Sequence, residues 1–282
     1  MATIAVVGSV NLDLVAQAAR LPAPGETITG AVLHRFPGGK GANQALAARR
    51  LGADVCLVAC VGDDVAADEA LALLREGGVD LSQCVVRQGE STGTALIAVS
   101  AAGENQIVVA PGANRSLTPE VLQLPATDAV ICQLEVPADT VAAVARACAG
   151  FLCVNLAPAT HVDVSILQRA DLVVVNELES DWYGDSLGAC QGLVATTRGS
   201  GPATLALGGD VVAEVMPPAV NAIDTTGAGD TFTAALTVAL IEGQAPDAAL
   251  RFACAAAAVT TTRLGAQPAL PCREEVAHGA DL

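Results

Sequence analysis

The chain has 282 residues, a formal net charge of −16 and only four Phe, one Trp and one Tyr. It can bury one large core or two modest ones, and that core must be built from small aliphatic side chains. The acidic balance excludes a general nucleic-acid binder, which needs clustered Lys and Arg, but a locally positive pocket still admits an anionic substrate. Nine cysteines without a CxxC pair, and three widely separated histidines (His34, His161 and His278), argue against a zinc site. The start lacks a basic n-region, and no apolar run reaches the ~18 residues of a membrane span. A cytoplasmic protein with no membrane or nucleic-acid partner is expected.

In chain order, Ile4–Val7 reads as a strand, Gly41–Leu51 as a helix, Val55–Val61 as a strand and Asp64–Glu76 as a helix. Ala129–Gln133 follows as a strand, Pro137–Ala149 as a helix, and Leu152–Asn155, Leu172–Asn176 and Val194–Thr197 as strands. Gly229–Ile241 and Asp247–Arg263 read as closing helices. β-branched runs alternating with Ala-rich helices imply a doubly wound, mostly parallel sheet with helices on both faces, an α/β fold. Strand-like runs around Glu26–Phe36, Thr94–Ser100 and Gln106–Ala110 have no helix between them, and Ala101–Asn105 reads as a hairpin turn. They are expected to form a small β-sheet lid from segments near 12–36 and 92–111, within a single domain spanning 1–282.

In an open parallel sheet, ligands bind beyond the carboxyl ends of the strands. Asn11 and Asp13, after the first strand, offer an amide and a carboxylate suited to neighbouring hydroxyls, or form an Asx turn. In Pro37-Gly-Gly-Lys-Gly-Ala-Asn-Gln44 the glycines permit close backbone approach, and Lys40 and Asn43 can reach over a helix start; the Walker A spacing is absent. Glu135 is either a ligand or a helix first-turn acid. Asn176 and Glu179, three apart, can hold a metal-bound water or phosphate, or simply cap a helix. In Asp224-Thr-Thr-Gly-Ala-Gly-Asp230, Gly227 and Gly229 open the backbone to an anion at a helix N-terminus, and Asp230 stands ready to take a proton from an attacking hydroxyl.

Taken together, GSVNLD, PAPGETITG, FPGGKGANQALAARRLGA, CVGDD, GESTGTALI, PGANRSLTP, NELE, DTTGAGDTF and RLGAQPALP occur in an order that resembles the PfkB carbohydrate kinase family from about residue 4 to about 275. The resemblance implies ATP-dependent phosphorylation of the primary 5-hydroxyl of a pentose, D-ribose first, and a homodimer formed through the lid. Nucleosides or other furanoses are the rival substrates, and a silent sugar-binding protein the more distant alternative. By motif, it makes Asn11, Asp13, Gly39, Lys40, Asn43, Glu135 and Asp230 the sugar-binding set. Asp230 is then the base, and Gly227, Ala228 and Gly229 the anion hole.

The resemblance also puts Asn176 and Glu179 near Mg²⁺ and phosphate. Thr196, Arg198, Gly199, Gly201, Gly229 and Cys254 fall beside ATP, and Asp224, Thr226, Thr260, Arg263, Gly265 and Ala269 around an activating K⁺. Two departures stand out. Ala269 replaces a Ser whose hydroxyl belongs to the family's K⁺ site, and Arg198 stands where Gly is frequent. Cation activation and the nucleotide contact are therefore open.

Overall fold

A computed structural model describes residues 1–279; residues 280–282 of the expected domain, and the side chain of His278, lie outside what is described. The chain begins with β1 (Thr3–Val7), β2 (Asn11–Ala18), β3 (Val32–Gly38), α1 (Lys40–Arg50), β4 (Asp54–Gly62), α2 (Val65–Glu76), β5 (Asp80–Arg87), β6 (Gly93–Ser100) and β7 (Asn105–Ala110). It continues with β8 (Ala129–Cys132), α3 (Ala138–Ala147), β9 (Phe151–Asn155), α4 (Val164–Arg169), β10 (Leu172–Asn176), α5 (Glu177–Tyr183), β11 (Leu193–Arg198), β12 (Gly201–Leu207) and β13 (Asp210–Val215). The last elements are α6 (Ala228–Ile241), α7 (Pro246–Thr260), α8 (Ala266–Ala269) and α9 (Arg273–Gly279).

The main sheet has nine strands in the order β13-β12-β11-β10-β9-β8-β1-β4-β5. It is parallel from β5 to β11, and β12 and β13 add an antiparallel edge. Its strands are apolar on both faces, as helix-covered parallel strands must be. Ile4 and Val6 join the core packed with α1, α2, α6 and α7, while Ala5 and Val7 join the core packed with α3 and α4. The small residues let the helices approach closely; Ala45, Ala47 and Ala48 of α1 and Ala234, Ala235 and Ala239 of α6 are all fully buried.

A second sheet, in the order β3-β2-β6-β7, forms the lid, with β2 and β6 parallel to each other. The predicted strand at Glu26–Phe36 starts later, at Val32, because 26–31 runs as an irregular loop with Gly30 at a positive φ of 84°. Asn11 and Asp13 belong to the first lid strand rather than to a turn, so the lid begins inside the predicted ligand motif. The strands β5, β12 and β13 and the short helices α4, α8 and α9 were not predicted, and α5 was foreseen only as a helix capped at Asn176–Glu179. No helix among the described residues is long and apolar enough to cross a membrane.

Candidate active site

Glycine creates the entrance to α1. Gly39 is the N-cap at φ 90°, and a Cβ there would lie 2.7 Å from the backbone nitrogen of Asn11. A Cβ on the preceding Gly38 would fall 2.2 Å from Oδ2 of Asp13. The Gly-Gly pair therefore lets a helix start and a lid strand cross at contact distance, bringing Asn11, Asp13 and Lys40 to one place.

Asp13 is buried among acids. Burial first, then Glu135 and Asp230, push its carboxyl up to about 7 from an ordinary 3.8. Asn11 is oriented from behind: Asn114 donates from Nδ2 to Asn11 Oδ1 (2.8 Å) and to the carbonyl of Val10 (3.2 Å), and its Oδ1 accepts from the Val10 amide (2.9 Å). With its oxygen engaged, the Asn11 side chain is left its NH₂ to offer a ligand. Asn114 was not singled out from sequence, although it lies in the quoted PGANRSLTP segment. Glu135 is fixed through Oε2, which accepts from the Ser9 hydroxyl and from the Lys40 amide at 3.2 Å.

Asp230 lies in the first turn of α6 and is 6% exposed. Asn43 donates from Nδ2 to its Oδ2 at 2.9 Å, and Gln44 from Nε2 to its Oδ1 at 3.0 Å. Burial raises its pKa, with Glu135 acting the same way; the Lys40 ammonium and the two amide donors pull it back without reversing the rise. For Lys40 burial favours the neutral amine, but the charges of Asp230, Glu135 and Glu179 win, so its pKa is raised and the side chain is cationic. Lys40 thus sits as one positive charge among three carboxylates. Asn43 Oδ1 is buried and has no hydrogen-bond partner among the described residues, an acceptor suited to a ligand hydroxyl.

The helix start at Asp230 presents free backbone amides. Gly227 caps α6 in the left-handed region at φ 80°. The Ala228 amide donates to the Thr225 carbonyl at 3.2 Å, leaving the amides of Gly229 and Asp230 at the mouth of the helix. Of the three predicted anion-hole residues, Ala228 is therefore partly committed to the turn.

Asn176 and Glu179 resolve in an unexpected way. They form a reciprocal capping box on α5, Glu179 N donating to Asn176 Oδ1 and Asn176 N to Glu179 Oε2, both at 2.8 Å. The capping alternative read from the spacing is thus present, yet it leaves Glu179 Oε1 outside the cap. Glu179 is 9% exposed and its pKa is raised by burial, then by Asp230, against the Asn176 amide and Lys40. One side chain can cap a helix and still face a cation.

Thr196 lies at the end of β11, whose Thr197 pairs with Asn176, so the expected nucleotide segment adjoins the capping box. Arg198 follows a bulge and folds back over the Gly199–Gly201 turn, donating to the Pro202 carbonyl at 3.1 Å and to Thr204 Oγ1 at 3.4 Å. Cys254 is 2% exposed and packed in the core, beneath the surface it was expected to line.

Among the expected cation residues, Asp224 Oδ1 accepts from the Thr226 amide (2.9 Å) and hydroxyl (2.6 Å), and its Oδ2 from the Gly265 amide (2.8 Å). The amides of Ile223 and Asp224 donate to the Thr261 carbonyl, which lays 223–226 beside 260–265. Arg263 is turned outward to pair with Glu275, Thr260 is buried with its hydroxyl on Thr231, and Ala269 is buried without a hydroxyl to give. Carboxylate and carbonyl oxygens suit a hard monovalent cation, with one ligand fewer at Ala269.

A doubly wound sheet, a β lid and a buried carboxylate under a helix N-terminus define an α/β phosphotransferase acting on a hydroxylated acceptor. A model of pfkB family carbohydrate kinases matches residues 1–273, and the chain belongs to that family. The ribokinase of Bacillus subtilis strain 168 is 38% identical over 292 residues, covering 98% of both chains. A ribokinase structure from Thermotoga maritima superposes with a TM-score of 0.91 at 32% identity, covering 100% of each chain. The Arabidopsis thaliana ribokinase complexed with ribose and ATP gives 0.86 at 29% identity, covering 100% of this chain and 99% of that one.

Proposed function

We propose that this chain transfers the γ-phosphoryl group of ATP to the 5-hydroxyl of D-ribose, giving ribose 5-phosphate and ADP. The observation that carries the reading is Asp230: buried, held at both oxygens by amides, and placed in the first turn of a helix whose free amides would face the transferring phosphoryl group. As the sugar oxygen attacks phosphorus, its proton passes to Asp230, the O–P bond forms and the bond to the ADP oxygen breaks. Asn11, Asp13, Gly39, Lys40, Asn43 and Glu135 hold the sugar, while the amides around Gly227–Gly229 and the Lys40 ammonium balance the charge on the transferring group.

Mg²⁺ would be held on the Glu179 side, where Oε1 lies outside the capping box, and would supply neutralisation of phosphate charge. K⁺ would lie in the Asp224–Gly265 loop, with weaker activation for want of a hydroxyl at position 269. Arg198, at the nucleotide segment, would meet ATP from the turn it folds across.

A bare sugar fits better than a nucleoside. The lid offers Phe36 as its one aromatic, and that ring is spent on Gly265, whose Cβ would lie 2.9 Å from it. The outer lid is apolar, with Leu33 and Val108 exposed at 62% and 65%, and a second copy of the chain is the partner that would cover it. The whole chain then acts as one cytoplasmic kinase domain, dimerised through its lid.

A coupled ADP-release assay across ribose, deoxyribose, fructose and nucleosides tests the substrate. Ribose should give the highest kcat/KM, and a nucleoside ahead of it would overturn the assignment. Light scattering tests the dimer: wild type should run at twice the monomer mass and Val108→Asp at the monomer mass, whereas a monomeric wild type refutes the lid contact.

A further inference from the structure

Gln44 stands directly behind Asp230 and is completely buried. Its Nε2 donates to Asp230 Oδ1 at 3.0 Å and to Asn155 Oδ1 at 3.1 Å, and its Oε1 accepts from Gln133 Nε2 at 2.7 Å. Asn155 in turn donates to the Val174 carbonyl at 3.2 Å. The ends of β1, β8 and β9, the interior of β10 and the start of α1 therefore converge on one amide. Gln133 can occupy its place only because residue 8 is glycine, since a Cβ there would lie 2.0 Å from Gln133 Oε1.

Buried amides are costly unless their partners are arranged in advance, and an aliphatic side chain would fill this volume at less cost. The arrangement has a direction. Gln133 donates to the Gln44 oxygen, so the Gln44 nitrogen is the end that faces Asp230. The carboxylate is thereby solvated on its inner side by a neutral, fixed donor that neither cancels its charge nor competes for the substrate proton.

We infer that Gln44 is a positioning residue for phosphoryl transfer, clamping Oδ1 of Asp230 so that Oδ2, whose donor Asn43 belongs to the proposed sugar-binding set, is the oxygen turned to the hydroxyl proton; the inference rests on the base role proposed for Asp230. Gln133 and Asn155 act one step further back, fixing the Gln44 amide.

The test compares steady-state kinetics of Asp230→Asn, Gln44→Met and Gln133→Met, each with a thermal unfolding midpoint and a pH profile. Methionine keeps the volume of glutamine and removes the donor. Gln44→Met should lower kcat on the order of 100-fold, the scale of a small misplacement of a reacting group, while sugar KM moves by less than about threefold. The acid limb of kcat should move to higher pH, because losing a donor disfavours the ionised carboxylate. The other charged groups around Asp230, namely Lys40, Glu135, Asp13 and Glu179, are unchanged by these variants. Gln133→Met should shift kcat and the acid limb the same way by less, and it carries the test if Gln44→Met fails to fold.

Wild-type kcat and pH profile in Gln44→Met, or in Gln133→Met should Gln44→Met not fold, with Asp230→Asn inactive, would overturn the positioning role and leave the base standing. A Gln44→Met change confined to sugar KM would likewise overturn it. An active Asp230→Asn removes the base and the clamp together.

Discussion

Asp224 and Asp230 bound the same seven residues, and the fold gives them opposite surroundings. Asp224 lies at the surface end, its two oxygens taken by Thr226 and Gly265. Asp230 is sealed in the core, with neutral amides as its donors and Lys40 as the nearby cation. The first carboxylate is used up in holding two loops side by side; the second is kept dry and basic. Position along a loop says little about a carboxylate's chemistry, which follows from what solvates it.

The largest test of the contrast is Asp230→Asn. It should keep sugar and ATP binding and lose kcat by about 10³-fold or more, the scale of a positioned general base; turnover near wild type would equate the two carboxylates. Next comes Asp13→Ala, which deletes a charged acceptor and should raise sugar KM by about 10- to 100-fold with a smaller change in kcat. Gly38→Ala should mimic it, because the new methyl enters the space of the Asp13 carboxylate. An unchanged KM in both would remove Asp13 from the sugar site.

Asp224→Ala should cost less, about 10-fold in kcat from the two backbone contacts it releases. Activity in K⁺ compared with a large organic cation reads the cation part: a small difference in wild type, none in the variant. The smallest effect is on pH. Asp13 titrates near 3.8 unfolded and about 7 folded, so the native state holds a proton that the unfolded chain has already released. Its contribution to stability is full below about pH 4 and is lost as pH climbs to 7, and Asp13→Asn should flatten that slope in thermal melts. Sugar KM should fall as pH rises through about 7, when the better acceptor forms.

Much of this was legible in the sequence. The parallel core was readable because its strands are continuous β-branched runs, and α1 and α2 because apolar residues recur between capping signals such as Asp64, which accepts from the Ala67 amide. The candidate site positions could be picked out because Gly-rich helix entries and polar residues follow the predicted strands. The edge hairpin β12–β13 was missed because Gly201–Val215 is amphipathic and broken by Gly208-Gly209. The strand β2 falls within the expected lid segment near 12–36, but it was not read as a strand in its own right because its ligand residues disguise its start. Gln44, Gln133 and Asn114 carry no local signal. Their partners are distant in the chain: 89, 111 and 186 residues from Gln44, and 103 and 104 residues from Asn114.

The parallel pairing of β2 with β6 has a consequence for how the molecule assembles. Asn11 lies opposite Gly93, and such a pair cannot close as a hairpin; the intervening α1, β4, α2 and β5 must first bring its two halves together. Joining the β2–β3 and β6–β7 pairs into one lid is therefore a non-local step, and the lid is not one contiguous segment of the chain. A chain arrested before β6 would carry Asn11 and Asp13 on a strand paired with β3 alone, lacking both the β6 partner and the Asn114 contact that orients Asn11.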